Sequence, residues 1–326
     1  MGENMKRKTK NLKASVVLII VISVMIVPTT IANEKKISTS LVTNLDTGET
    51  FTRIQDAIDD PDTLDGHTLF IHAGFFNSDL FILKALTLVG EDKETTIIRG
   101  TLEILEDNVK LEELTICNVN VGVKIRGDDF ITIDNCIIKD VLIGVQALYS
   151  DGIQILNNYI EGFSGHSTGI FIISSKDSLI IHNTVVGAYD GGIILDKISG
   201  YCIMKGNSVS DSGVGLQLSG EYLNIEIYGN KLFENGYGMA IGAIDKKSKI
   251  KIYFNDFVDN IVQYNDLDEY THILDNGYPS GGNYWSDYTG VDEDGDGIGD
   301  TPYIIPEGWH TSGEIDRYPL MDPVFK

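Results

Sequence analysis

Cysteine, proline, histidine and basic side chains are all scarce in this chain of 326 residues. Its three cysteines, Cys117, Cys136 and Cys202, are an odd and scattered set with no C-x-x-C pair. That excludes a disulfide-dense scaffold and a zinc ribbon. Each lies in an apolar run, where a thiol behaves as a small hydrophobe; a Cys117–Cys136 bridge between neighbouring repeats stays open. The six histidines, His67, His72, His166, His182, His272 and His310, show no i, i+2 or i, i+4 spacing and none sits beside Met or Cys. No Asn-x-Ser/Thr sequon occurs. With 25 Lys and Arg against 48 Asp and Glu, the net charge is −23, so nucleic acid, whose phosphates would be repelled, is not an expected partner.

Long apolar runs are missing too, with one exception. Val16 to Val27 is apolar apart from Ser23, follows Lys6-Arg7-Lys8, Lys10 and Lys13, and ends at Pro28. Thr30-Ile31-Ala32 then supplies small residues at −3 and −1, which makes residues 1–32 a secretory signal with cleavage expected after Ala32. The alternative is an uncleaved anchor, but the run is short of the ~20 apolar residues a spanning helix needs. Removing 1–32 takes five Lys/Arg and one Glu and moves the charge from −23 to −27. A secreted or surface protein without a membrane span in its mature form is the expectation.

What the chain does have is a repeat. Ile131-Thr-Ile-Asp-Asn135, Ile153 to Asn158, Leu179-Ile-Ile-His-Asn183, Tyr201 to Asn207, Ile225 to Asn230 and Ile250 to Asn255 carry asparagines 23, 25, 24, 23 and 25 residues apart. Glycines Gly144, Gly169, Gly192, Gly215 and Gly238 each open a second apolar alternation. Period-2 alternation marks strands, and self-similarity at such a period marks a solenoid. The reading is an all-β parallel β-helix, three short strands per coil of roughly 23 residues. Ile131, Ile133, Val145 and Ala147 point inward, and Ile137-Ile138 lies between them. Asn135, Asn158, Asn183, Asn207, Asn230 and Asn255 form a structural ladder, since Asn tolerates left-handed backbone and its amide both donates and accepts. A second column, Asp140, Glu161, Asp211, Glu234 and Asp259 with Gly187 in the gap, is read as solvated.

The array has two flanks. Residues 33–100 hold a polar lead-in and a short helix over Ile54–Asp59, whose Ile54, Ala57 and Ile58 share one face and which Pro61 ends. That helix is assigned to cap the open first coil. Residues 101–262 are the repeated coils, and 263–326 form an irregular C-terminal cap. Counting from Asp292, carboxylates Asp292, Asp294, Asp296 and Asp300 stand at positions 1, 3, 5 and 9 with Gly297 at 6, as in EF-hand-type loops, where Ile298 would offer its carbonyl. Tyr303 replaces the bidentate Glu at position 12, and Pro302 and Pro306 forbid a following helix. The loop therefore resembles those of thrombospondin type 3 and dockerin modules, and a structural Ca²⁺ is expected, with Asp287 or a water as a further ligand.

Ile54-Gln-Asp-Ala-Ile58, Leu86-Thr-Leu-Val-Gly90 and Thr95-Thr-Ile-Ile-Arg-Gly100 resemble the opening of right-handed parallel β-helix proteins. The tail from Gly281-Gly-Asn-Tyr-Trp285 through Asp294-Gly-Asp-Gly-Ile-Gly-Asp-Thr-Pro-Tyr303 to Tyr318-Pro-Leu-Met321 strongly resembles the C-terminal segment of archaeal NosD-like proteins, a periplasmic copper-binding and carbohydrate-binding or sugar-hydrolase type. Copper, which that resemblance implies, is not expected here, because the histidines do not converge.

Parallel β-helix enzymes that cut acidic polysaccharides place their catalysts on an exposed strand face. Here that face offers Lys124, Gln146, Phe171, Ile194, Gln217 and Ala240 in one column, and Arg126, Leu148, Ile173, Asp196, Ser219 and Gly242 in the next. Hydrolases need paired carboxylates and lyases a base beside a metal; Asp196 has no partner. Asp128-Asp129 and Gly165-His166-Ser167 faintly resemble polygalacturonase motifs but lie about two coils apart. The face reads as a binding surface for polysaccharide, cell-envelope material or a protein, without catalysis. A lyase or hydrolase with an unrecognised site and a copper-handling accessory role are the alternatives.

Overall fold

The computed structural model describes residues 41–325 apart from 164, 245–247, 268–270 and 307–313. Residues 1–32, read as a secretory signal, and His310 lie outside those residues. The chain forms a right-handed parallel β-helix of about eight coils of about 23 residues. Strand Thr87–Gly90 pairs in parallel with Lys110–Glu112, which pairs with Thr132–Asp134, then Gln154–Leu156, then Leu179–Ile181. A second sheet runs from Gly74–Phe76 and Thr96–Ile98 through Thr184–Val186 and Ser208–Ser210 to Tyr284–Trp285. A third runs from Leu80–Ile82 and Leu102–Ile104 through Thr168–Ile173 to Val262–Asp266.

Alternation within each strand sends every second side chain into one continuous column. Ile131, Ile133, Ile138, Val145 and Ala147 are fully buried, as are Ile170, Ile193, Leu216 and Ile241 further along. The glycine column has a steric cause. A Cβ on Gly144, Gly169, Gly192 or Gly215 would lie 2.5–2.7 Å from the carbonyl oxygen of the next glycine in the stack. Nothing larger fits at that corner.

The asparagine ladder differs from the sequence reading by one residue at its start. Asn158 accepts the Cys136 N–H at 2.9 Å, so Cys136, not Asn135, occupies the column. Asn135 is half-buried instead and bonds to Lys93 and Glu113. From there the chain of bonds is regular: Asn183, Asn207, Asn230 and Asn255 each accept a backbone N–H and a side-chain amide from the preceding asparagine, starting with Asn158, at 2.8–3.0 Å. It continues into Asn283, which the repeat period had not reached because the spacing stretches to 28 residues. The left-handed backbone also falls one position early, on Asn157, His182, Gly206, Gly229 and Phe254. The asparagines themselves are there for their amides. Asn235 and Asn260 build a second, shorter ladder at another corner.

The exposed acidic column has a backbone origin. Asp140, Asp211, Glu234 and Asp259 all sit at φ between 52° and 56°, and Gly187 takes φ 69° at the same turn. All three cysteines are free and buried, and burial pushes the Cys136 thiol up to about 12 and Cys202 up to about 11.

Both ends are covered. Helix Ile54–Asp59 buries Ile54, Ala57 and Ile58 over the first coil. The stretch read as a polar lead-in contains a strand, Val42–Asn44, which closes the first sheet by pairing antiparallel with Thr68–Ile71. At the other end Phe257, Trp285 and Tyr303 stack at 4.3 and 4.5 Å between centroids. Asp316 ends the asparagine ladder, accepting the Asn283 N–H at 2.7 Å and the Trp285 indole N–H at 2.9 Å.

Candidate functional site

The outer face of the third sheet follows from strand alternation: Thr168–Ile173 buries Ile170 and Ile172 and leaves Phe171 and Ile173 half-exposed. Parallel register then stacks Lys124, Gln146, Phe171, Ile194, Gln217 and Ala240 in one line. Arg126, Leu148, Ile173 and Asp196 form the neighbouring line. Phe171 and Ile194 are adjacent and make an apolar strip with Leu148 and Ile173 beside it. Arg126 is exposed near one end.

Two of the charges on this face are tied up. Lys124 Nζ pairs with Glu103 Oε1 at 2.7 Å, and Asp196 accepts the Ser219 hydroxyl. Glu103 and Asp196 are the carboxylates on these two lines, with the Lys124, Gln146 and Phe171 rungs between them. At ~4.8 Å per rung they stand about 19 Å apart, well beyond the ~5–9.5 Å that two-carboxylate glycoside hydrolysis uses. Phe81, Glu103, Lys124 and Gln146 line a groove of about 320 Å³ at the N-terminal end of the face.

The polygalacturonase-like motifs do not assemble. Asp129 Oδ1 accepts the Asp151 N–H at 2.8 Å, Asp151 Oδ1 accepts that of Lys176 at 3.1 Å, and these aspartates act as rung connectors. His166 Nδ1 lies 3.1 Å from Asp190, in the open.

At the cap, the acidic loop is wound around its own carboxylates. Asp292 Oδ1 accepts the Gly295 N–H at 2.7 Å and Oδ2 accepts that of Gly297 at 2.9 Å, with both glycines at positive φ. Asp292, Asp294 and Asp296 bring one oxygen each to within 4.8 Å of one another. Asp300 accepts the Glu293 N–H at 2.7 Å, and the Ile298 side chain is buried in the cap. The Gly297, Gly295 and Asp296 N–H groups hold the Asp292 carboxyl below its usual range. Asp294, although it accepts the Asp296 N–H, is pushed up by the Asp296 charge. Like charges gathered this closely favour a cation between them. Asp287 is already engaged, accepting the Tyr303 hydroxyl on both oxygens at 3.0 and 3.1 Å. Trp285 is 1% exposed, so it is a packing residue and offers no ring to a sugar.

Sequence reasoning missed a second concavity. Asp259, Gln263, Asp287 and Tyr303 line a cleft of about 490 Å³ between the last coil and the cap. Residues from two elements so far apart in sequence carry no spacing signal.

A stacked parallel solenoid of this kind defines the class: a right-handed parallel β-helix protein. Residues 88–290 match the family described as periplasmic copper-binding protein (NosD), and the chain belongs to that family. It is 25% identical to a cell surface glycoprotein of Methanothermus fervidus over an alignment of 322 positions that covers 75% of this chain and 52% of that protein. The chain thus spans about half the length of that relative. Among solved structures it is similar to the periplasmic alginate epimerase AlgG, at 13% identity and a TM-score of 0.36 over 60% of this chain and 71% of the other. It is also similar to an alginate lyase from Paenibacillus sp., at 13% identity and a TM-score of 0.35 over 71% and 94%.

The family description implies copper. Among the described residues no cysteine joins a histidine in a ligand cluster; the one cluster that contains a histidine is Asp266, His272 and Glu314. One imidazole with two carboxylates does not fit Cu(I), which wants thiolate or thioether sulfur.

Proposed function

We propose that this protein is a secreted or surface-exposed β-helix that binds polysaccharide or another cell-envelope component through the third-sheet face, without chemistry. The observation that carries this reading is the Phe171–Ile194 strip with Gln146 and Gln217 in line on either side. Apolar rings and amides in one straight row suit the face and hydroxyls of a linear sugar chain. The 19 Å gap between Glu103 and Asp196 argues against hydrolysis on the same face. The kinship with a cell surface glycoprotein supports the envelope setting. On this reading Asp292, Asp294 and Asp296 hold a structural Ca²⁺ that keeps the cap rigid.

A glycan array, followed by incubation of each bound polysaccharide with the protein, tests the proposal. Binding should be retained with no unsaturated or reducing ends released, and Phe171→Ala should weaken it at least tenfold. Turnover, or binding indifferent to Phe171, would sink the reading. Turnover that vanished in Asp196→Ala would replace it with a lyase or hydrolase.

A further inference from the structure

The last coil meets the cap at a buried polar cluster that the binding face does not use. Asp266 ends the strand Val262–Asp266, and Glu314 immediately precedes the strand Ile315–Asp316. His272 lies between them in sequence. The side chains of His272 and Asp266 are 3% and 1% exposed, and Glu314 is 2% exposed. One imidazole nitrogen and two carboxylate oxygens lie within 4.8 Å of one another. His272 Nε2 stands 3.5 Å from Asp266 Oδ2. Glu314 Oε1 accepts the His272 backbone N–H at 2.6 Å, and the Tyr264 and Asp266 side chains also hydrogen-bond to this carboxyl.

We infer that Asp266, His272 and Glu314 bind one borderline divalent cation, Zn²⁺ by preference, which fastens the C-terminal cap to the last coil. Three features of the cluster point this way. Two carboxylates withdrawn from water repel each other, which favours a cation or a shared proton between them. A charge-assisted His–Asp hydrogen bond closes to ~2.7–2.9 Å, whereas two donors each ~2.1 Å from a tetrahedral ion stand about 3.4 Å apart; the observed 3.5 Å is the second spacing. The donor set of one nitrogen and two oxygens suits Zn²⁺, while Ca²⁺ takes six to eight oxygens. The residues come from the last coil and from the cap, so the ion would join two parts of the chain that are otherwise held by packing and hydrogen bonds.

Burial pushes the Glu314 carboxyl above its ordinary range, against the pull of His272. A shared proton is therefore the competing occupant, and the experiment separates the two. The full chain is stripped with EDTA, freed of chelator, and titrated with Zn²⁺, with Ca²⁺ as the hard-cation comparison. One Zn²⁺ per chain should bind and raise the melting temperature, and Co²⁺ in its place should give the visible absorption of a tetrahedral N/O site. Glu314→Gln, a near-isosteric change, should lower Zn²⁺ affinity by ~100-fold or more, since losing even an outer-shell partner costs ~10–100-fold. Asp292→Asn in the acidic loop should leave Zn²⁺ binding unchanged, which keeps this site distinct from the Ca²⁺ reading. Equal Zn²⁺ affinity in Glu314→Gln would overturn the inference. So would a wild-type protein that ignores Zn²⁺, gives no tetrahedral Co²⁺ band and gains stability only as the pH falls.

Discussion

Replacing Asn207 with alanine is the sharpest test of how this solenoid is held together. Asn207 Oδ1 accepts the Asn183 backbone N–H and the Asn183 side-chain amide, each at 3.0 Å. Its Nδ2 donates to the Ile180 carbonyl at 2.8 Å and to Asn230 Oδ1 at 2.9 Å. Alanine deletes all four bonds. The Asn183 side-chain amide keeps the Ile155 carbonyl at 2.7 Å, and Asn230 Oδ1 keeps the Asn207 N–H at 2.9 Å, so neither is orphaned. The Asn183 N–H, on a residue 1% exposed, has no substitute acceptor. An orphaned buried donor costs ~1–3 kcal/mol and each remaining bond contributes ~0.5–1.5 kcal/mol net. The sum is about 2.5–7.5 kcal/mol, a large share of the ~5–15 kcal/mol that holds an ordinary domain. Asn135→Gly is the control, since Asn135 lies outside the column, its side chain bonds to Lys93 and Glu113, and glycine tolerates its φ of 50°. It should cost less than about 1 kcal/mol. Urea unfolding followed by circular dichroism, at one metal concentration, measures both. Equal costs for the two variants, or a cost below ~1.5 kcal/mol for Asn207→Ala, would refute the ladder argument.

Two further outcomes are expected. Chelating Ca²⁺ should lower the melting temperature, and Asp294→Ala should abolish the part of that dependence that Ca²⁺ alone restores; a melting temperature indifferent to Ca²⁺ would remove the ion from the acidic loop. Asp316 should make the cap's stability pH-dependent, because burial raises its carboxyl to about 6 from an ordinary value of 3.8. A raised folded-state value means the contribution is complete below pH ~4 and is lost as the pH rises through ~6, a difference of roughly 3 kcal/mol. Urea midpoints across pH 4–7 should show that slope in the wild type and a flatter one in Asp316→Asn, and an unchanged slope in the variant would count against it.

Much of this architecture is written locally. Alternating Ile, Val and Leu at a period near 23 dictates three-stranded coils, because any other register would expose one face of every strand at once. The glycine column and the helix Ile54–Asp59 are legible for the same reason: each is required by contacts within one or two coils. The acidic loop is legible in its spacing, since its backbone folds around its own side chains.

Tertiary structure decided what depends on neighbours distant in sequence. Asn135 looks like a ladder residue by its spacing, yet stacking places Cys136 in the column, because Asn158 and not Asn157 aligns there. Asn283 joins the ladder from beyond the repeat, and Asp316 closes it from 33 residues further on. The same holds for Asp266, His272 and Glu314, which share a dry site only because the cap folds back on the last coil. A repeating sequence determines how coils stack, since each coil meets copies of its own pattern. Where the stack stops there is no copy to meet, and the contacts that close it are set by the fold alone.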